Sequence, residues 1–276
     1  MMQFFIDDVI KTALLEDVNY IDMAADNLLP DSHTSKAVFL AKADGVLCGI
    51  DVALRVFELL GSFTLKKLKS DGDLIQKGDI IAEIEGPTKL LLKGERTSLN
   101  LIQHMSGIAT MTYEAAELIK GTNATVTDTR KTLPGLRALQ KYAITCGGGK
   151  NHRFNLSDAA MLKDNHIDAC GSITKAVSTL REKIGHTVKI EVETRTLDEV
   201  AEALATGCEI IMLDNMDCET MKKAVEMTDG KALLEASGNI TASTIRSVAE
   251  TGVDIISIGA LTHSVKAFDI SLKVVK

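Results

Sequence analysis

The sequence predicts an α/β protein, with a parallel β/α barrel from about residue 124 onward behind a smaller β-rich region. Three observations predict it. Six short apolar runs (124–127, 159–162, 188–192, 209–213, 232–236 and 253–258) alternate with helical segments, and repeated βα units build a parallel sheet. Each run ends on polar residues or glycine: Asp128 to Lys131, Lys163-Asp164, Glu193, Asp214-Asn215, Glu235 with Ser237-Gly238-Asn239, and Gly259. Polar groups at successive strand ends are how a βα barrel builds its site, whereas an open doubly wound sheet concentrates them at one switch point. Finally, residues 63–86 hold short strand-like pieces punctuated by Asp71-Gly72, Lys77-Gly78 and Gly86-Pro87, the mark of a small β-rich unit.

The elements follow in order. Residues 1–30 read as helical and acidic, ending near Pro30. Residues 36–49 read as strand, tight turn at Asp44-Gly45, strand. Residues 52–60 read as a helix stopped by Gly61. Residues 94–120 read as a long helix whose apolar face recurs at steps of four and three, with Gly121 as its stop. On that reading Glu95 and Arg96 sit at the helix start, and spacing alone makes Arg96 a surface cation paired with Glu95. In the second half Thr196 and Glu199 form a capping box, Asp217 caps the next helix, and Thr241 caps another that ends before Gly252.

Composition narrows the class. Hydrophobic residues make up 45% of the 276-residue chain and charged residues 25%, which is ordinary for a globular protein. The five cysteines (Cys48, Cys146, Cys170, Cys208, Cys218) form no CxxC pair. That pattern argues for reduced thiols in a cytoplasmic protein and against a zinc or iron–sulfur site. Asp7 and Asp8 interrupt the place of a signal-peptide core, and no apolar run is long enough for a bilayer span. An acidic balance with no Trp argues against a nucleic-acid partner.

Charge is unevenly spread. Between Arg130 and Lys163 stand seven basic residues (Arg130, Lys131, Arg137, Lys141, Lys150, Arg153, Lys163) against Asp158 alone, a formal +6. The chain as a whole carries −7. Focused positive charge attracts anions, and arginine forks match carboxylates and phosphates. Gly-containing turns at Ser237-Gly238-Asn239 and Ile258-Gly259-Ala260 supply backbone N–H groups of the kind that bind phosphate in barrels. Glu193 and Asp214 are either a general acid/base pair or, better, ligands for Mg²⁺. Lys163 could instead be a Schiff-base lysine, and His152 reads as a hydrogen-bond donor beside Arg153. The residues alone describe a barrel enzyme that handles a phosphorylated sugar and a second, strongly anionic substrate with Mg²⁺.

Seven stretches carry a resemblance. ERTSLNLIQHMSGIAT (95–110), DTRKTLPGLR (128–137), GGGKNHRFNLSDAAMLKDNHI (147–167), EVET (191–194), LDN (213–215), EASGNI (235–240) and SIGALTHS (257–264) stand in the order and spacing of the quinolinate phosphoribosyltransferases. The sequence closely resembles that family from residue 95 onward. Molybdenum-locus relatives share TRKT and the triple glycine but typically lack the KDNH run, which is intact here as Lys163 to His166. The resemblance implies an N-terminal α/β sandwich domain (1–104, with 266–276 as a candidate addition) followed by an incomplete parallel β/α (TIM-like) barrel (105–265). It implies that quinolinate and 5-phosphoribosyl-1-pyrophosphate give nicotinate mononucleotide, pyrophosphate and CO2, in NAD biosynthesis. It implies homodimers, in some members assembled into hexamers, with Arg96 reaching the neighbour's site. Arg130, His152, Arg153 and Lys163 would hold quinolinate together with that Arg96. Thr129 and Lys131 would contact phosphoribosyl pyrophosphate, Glu193 and Asp214 would hold Mg²⁺ and the ribose region, and Ser237, Gly238, Asn239, Gly259, Ala260 and His263 would serve the phosphates. Lys131, Lys163, Glu193 and Asp214 are the expected catalytic residues.

Overall fold

The computed structural model describes residues 3–275, so Met1, Met2 and Lys276 lie outside the described residues. The chain forms two compact units. The first takes residues up to Tyr113, Thr132–Gly148 and Leu261 onward, and the second takes Glu114–Lys131 and Gly149–Ala260. In chain order the elements are α1 (Gln3–Asp17), α2 (Ala25–Leu28), β1 (Thr34–Ala41), β2 (Gly45–Val46), α3 (Ile50–Leu60), β3 (Thr64–Lys67), β4 (Leu74–Ile75), β5 (Ile80–Pro87) and α4 (Thr88–Leu118). There follow β6 (Thr125–Thr127), α5 (Arg137–Cys146), β7 (Ala160–Leu162), α6 (Asp164–Cys170), α7 (Ile173–Arg181), β8 (Ile190–Thr194) and α8 (Leu197–Ala205). The chain closes with β9 (Ile210–Asp214), α9 (Cys218–Thr228), β10 (Leu233–Ser237), α10 (Ile245–Ala249), β11 (Ile255–Ser257), α11 (Ala260–His263) and β12 (Ile270–Val275). None of the described helices is long and apolar enough to cross a membrane.

In the first unit an antiparallel sheet runs β12-β1-β5-β3, so the last strand returns to pair with the first (Ala37 opposite Val274, Phe39 opposite Leu272). Its core gathers Phe39, Phe57, Leu47, Ile81, Ile84, Leu91, Ile102 and Ile270, all essentially buried. Phe39 and Phe57 meet edge to face, with ring centroids 6.1 Å apart, a favoured aromatic geometry. The strand–turn–strand expected over 36–49 is not a hairpin. β1 pairs with β5 and β12, and β2 pairs with β4. Long-range bonds pull the chain out of a hairpin: the Lys77 N–H donates to Asp44 Oδ1 (2.7 Å), and the Val46 N–H donates to Thr110 Oγ1 (3.0 Å).

The long helix starts at Thr88, directly after β5, and not near Gly94. Arg96 therefore lies in its third turn, exposed, where no argument about the first turn applies. Gly94 is an interior residue of that helix because a Cβ there would lie 2.6 Å from the Phe57 ring. The close approach offsets glycine's poor helix propensity.

In the second unit all six predicted strands form, in one parallel sheet of order β6-β11-β10-β9-β8-β7. Every strand from β7 to β11 lies beside its sequence neighbour, and β6 lies beside β11. That is the circular order of a barrel with the β6–β7 edge left unpaired: an incomplete barrel. Alternation along each strand fixes what faces where. One set is apolar and buried, including Ile190 and Val192, Ile211 and Leu213, and Leu234 and Ala236. The other set is mostly polar and titratable: Glu191 and Glu193, Met212 and Asp214, Glu235 and Ser237.

Helix caps follow the sequence at two of three places. The Thr196 hydroxyl accepts from the Glu199 N–H (3.2 Å) and Asp217 accepts from the Thr220 N–H (2.7 Å). The Glu199 carboxylate turns to the Arg195 N–H (2.6 Å), one residue before the cap. Thr241 does not cap. Its chain first makes a turn in which Thr244 Oγ1 accepts from the Thr241 N–H (3.0 Å), and α10 starts only at Ile245.

Candidate active site

The two-residue period of the strands builds the second unit's site in two tiers. Met161, Glu191, Met212, Glu235 and Ser257 form the deeper tier. Two residues further along their strands, Lys163, Glu193, Asp214 and Ser237 form the upper one. Register places Met161 opposite Glu191, Glu235 opposite Met212 and Ser237 opposite Asp214 within the tiers, while between β8 and β9 the tiers are staggered, with Glu193 opposite Met212. A cleft of about 480 Å³ is lined by these groups, except Glu191, and by Thr129, Arg130, Lys131, His152 and Arg153.

Each cation reaches the cleft by its own route. Thr129 to Lys131 continue from β6, where Thr129 Oγ1 accepts from the Lys131 N–H (3.0 Å). Lys150 to Arg153 run beside β6: the Lys150 N–H donates to the Val126 carbonyl (2.9 Å), and the fully buried Asp128 accepts from the His152 N–H (2.9 Å). Arg153 is anchored through Nη1 to the Ala159 carbonyl (3.0 Å). Burial and the neighbouring Arg130 charge hold its pKa below the usual guanidinium value, while Glu191 works in the other direction. Lys163 leaves β7, fixed at its backbone by an N–H bond to His166 Nδ1 (3.0 Å), and its Nζ lies 2.6 Å from Glu193 Oε2. A Schiff-base lysine needs a neutral amine in an apolar pocket. Lys163 is half exposed and ion-paired, which disfavours that alternative.

The +6 segment is divided between the two units. Arg130, Lys131, Arg153 and Lys163 line the cleft. Arg137 and Lys141 belong to α5 in the first unit, with Lys141 essentially buried. Arg96 and His263 are also residues of the first unit, both exposed, and His263 Nδ1 lies 2.7 Å from Ser264 Oγ. Gly259 and Ala260 end the second unit's last strand connection.

Beneath the cleft lies a buried group. His152 Nε2 is 3.1 Å from Glu191 Oε2 and 3.4 Å from Glu235 Oε2, and both carboxylates are almost wholly buried. Its Nδ1 accepts the Arg153 N–H (2.7 Å). Burial alone would lower the His152 pKa, but hydrogen bonds to the two glutamates outweigh it and raise it to about 10. Burial pushes Glu191 up as well, with the Glu235 charge adding to the effect. These shifts describe one proton shared between His152 and Glu191 beside Glu235. Whether it sits on the ring or on a carboxyl, the group carries a net charge of −1. That residual negative charge lies beneath Arg130 and Arg153.

On the far side, three left-handed residues shape the turn after β10. Asn215 (φ 55°), Gly238 (φ 101°) and Asn239 (φ 51°) interlock. The Asn215 N–H donates to the Ser237 carbonyl (2.9 Å), Asn239 Nδ2 donates to Asn215 Oδ1 (3.0 Å), and Asn215 Nδ2 donates to Asp214 Oδ2 (3.0 Å). A Cβ on Gly238 would lie 2.2 Å from Asn215 Oδ1.

The model of the family described as "Quinolinate phosphoribosyl transferase, C-terminal domain" matches residues 108–273, and its N-terminal-domain counterpart matches residues 22–106. The chain belongs to the quinolinate phosphoribosyl transferase family. A protein of Bacillus subtilis named "Probable nicotinate-nucleotide pyrophosphorylase [carboxylating]" is 45% identical over 94% of this chain and 90% of its own length. NadC from Streptococcus pyogenes superposes with a TM-score of 0.96 at 42% identity, covering 100% of this chain and 99% of that one. Nicotinate-nucleotide pyrophosphorylase from Francisella tularensis gives 0.96 at 39% identity, covering 100% and 98%.

In this family member, sequence reasoning missed Glu191, Asn215, Met161, Met212 and Ser257 as site groups, and left Glu235 as a strand end without a role. The signal for the two glutamates was present. Each stands two residues before a residue already singled out, Glu193 and Ser237, hence on the same strand face.

Proposed function

We propose that this cleft is where the chain, as a quinolinate phosphoribosyl transferase, joins quinolinate to phosphoribosyl pyrophosphate and releases pyrophosphate and CO2. One observation carries the reading: four cations and three carboxylates from six separate segments line one cleft. That composition suits two polyanions that repel one another in water. Holding both in place removes the entropic and electrostatic cost of their encounter.

Arg130, Arg153 and Lys163 take the two quinolinate carboxylates, with His152 as the wall between Arg153 and the buried acids. Lys163 leaves Glu193 for a substrate carboxylate, and Glu193 is thereby released toward the ribose. Lys131 and Thr129 take the pyrophosphate end. Ser237, Gly238, Asn239 and the Gly259-Ala260 turn take the ribose phosphate. Glu193 and Asp214 fit Mg²⁺: they are oxygen donors on adjacent strands, and this ion takes one or two carboxylates while keeping waters and substrate oxygens. When bound there it would neutralise charge on the pyrophosphate. In a homodimer or a larger assembly, Arg96 of the partner subunit completes the quinolinate site.

Pyrophosphate departs from C1 of the ribose as Lys131 offsets its growing charge. The cation developing at C1 is stabilised by Glu193 and Asp214. The pyridine nitrogen bonds to C1 and becomes positive. The 2-carboxylate then leaves as CO2, its electron pair remaining at C2 beside the cationic nitrogen until a proton replaces it. The protein supplies no covalent intermediate. CO2 release from 2-carboxyl-labelled quinolinate tests the reading, with phosphoribosyl pyrophosphate and Mg²⁺ omitted in turn. Release is expected only when all are present; none from folded protein would sink the proposal.

Gly238→Ala is expected to raise KM for phosphoribosyl pyrophosphate about tenfold or more. The added methyl cannot coexist with Asn215 Oδ1 at 2.2 Å, and the φ of 101° strains any side chain. Steady-state kinetics with each substrate varied checks this: an unchanged KM would remove the turn from the phosphate site.

A further inference from the structure

Two cysteines far apart in sequence meet in the first unit. Cys48 Sγ, Cys146 Sγ and an Asp71 carboxylate oxygen lie within 4.8 Å of one another. The scatter of cysteines along the sequence gave no hint of it. Cys48 is buried, and its peptide groups are both held by Ser106: the N–H donates to Oγ (2.9 Å) and the carbonyl accepts from it (3.0 Å). Cys146 is half-buried at the end of α5. The next residue, Gly147, packs so tightly on α4 that a Cβ would lie 2.3 Å from the Ala109 carbonyl. Both cysteines are therefore set against the same helix.

The surroundings polarise the pair. The Cys48 thiol faces Cys146, while the Tyr142 hydroxyl gives its proton to Asp71. A hydrogen bond from Cys48 holds the Cys146 thiol below its ordinary range, although burial and the Asp71 charge oppose it. The same bond and burial push Cys48 far up. Asp71 is fully engaged by the Gly49 and Ile50 N–H groups (2.9 and 3.0 Å) and by Tyr142 (3.0 Å). A cavity of about 410 Å³ lined by Asp71, Tyr142 and Arg55, among others, adjoins the cluster at Asp71, and Cys146 is itself partly exposed.

We propose that Cys48 and Cys146 are a redox-active pair in which Cys146 attacks a hydroperoxide and Cys48 closes a disulfide. The Cys146 thiolate bonds to the peroxide oxygen and breaks the O–O bond. The leaving oxygen takes a proton and departs as water or an alcohol, and Cys146 becomes a sulfenic acid. Cys48 then loses its proton and attacks that sulfur. The S–S bond forms, the S–O bond breaks, and the hydroxide leaves as water with that proton. Two thiols are oxidised, one peroxide is reduced, and a dithiol restores the pair. A low-pKa, accessible thiol beside a resolving cysteine is the arrangement of peroxide-sensing sites. A bound soft cation fits less well, because it would displace the Cys48 proton and compete for an Asp71 already satisfied.

The test uses the reduced full-length protein. Hydrogen peroxide is expected to remove two of its five thiols, recovered by mass spectrometry as a Cys48–Cys146 cross-linked peptide that dithiothreitol reverses. Before oxidation, iodoacetamide at neutral pH is expected to label Cys146 at least about tenfold faster than the half-buried Cys170 and Cys218. In Cys48→Ser the reaction stops at a Cys146 sulfenic acid trapped by dimedone. The proposal is overturned by five intact thiols, by a disulfide between other cysteines, by equal labelling rates, or by one zinc ion bound at a pair that does not oxidise.

Discussion

Arg130→Ala is expected to raise KM for quinolinate on the order of a hundredfold or more, while KM for phosphoribosyl pyrophosphate changes far less. Arg130 lines the cleft beside Arg153, and each charge makes the other costlier before substrate arrives. A dianionic ligand discharges that repulsion. Losing a charge-assisted, two-pronged contact to a carboxylate removes about 3 kcal/mol of binding, which corresponds to roughly that factor in KM. Arg130→Lys separates charge from geometry. An ammonium keeps the field but not the planar fork, so a loss intermediate between wild type and alanine is expected. Steady-state kinetics on the three proteins decides it, and a quinolinate KM untouched by alanine would take Arg130 out of the site.

That expectation rests on residues legible in the sequence, and the reasons others were not legible are physical. The six apolar runs announced the barrel because a strand buried on one side under helices must be apolar at every second position. The strand-end acids Glu193 and Asp214 were visible for the same reason, as polar residues where the run stops. Glu191 was hidden because it lies inside a run, and Glu235 was read only as the end of one. Alternation assigns them a face, but nothing local says that the interior at that depth is wet or holds a histidine. His152 comes from a segment between strands, and its partners are 39 and 83 residues away in sequence. Counting charge along the chain took in Arg137 and Lys141, which belong to the first unit, together with the four cations that line the cleft of the second. The hairpin expected at Asp44-Gly45 failed because side-chain acceptors remote in sequence, Asp44 for Lys77 and Thr110 for Val46, outweighed a two-residue turn signal.

The buried glutamates bring the second large effect. His152→Ala is expected to cost about 3–5 kcal/mol of stability near pH 7, the penalty for leaving buried charge without its partner. Without the imidazole, Glu191 and Glu235 face each other with no donor between them, and Glu191, whose pKa burial already raises, favours the protonated form. A carboxyl whose folded pKa is raised stabilises the fold below its unfolded value, ordinarily near 4.5, and loses that contribution as pH rises through the folded pKa. The variant is therefore expected to regain stability on acidification toward pH 5. The wild type behaves differently. With the His152 pKa raised from 6.5 to about 10, the bound proton contributes fully below 6.5, and the contribution is lost as pH climbs to about 10. The stability difference between the two proteins should thus be widest around neutrality and narrow on both sides. Urea titrations of wild type and His152→Ala across this range test it. A difference independent of pH would reduce the imidazole to a space-filling side chain and leave the two carboxylates without an explanation for their burial.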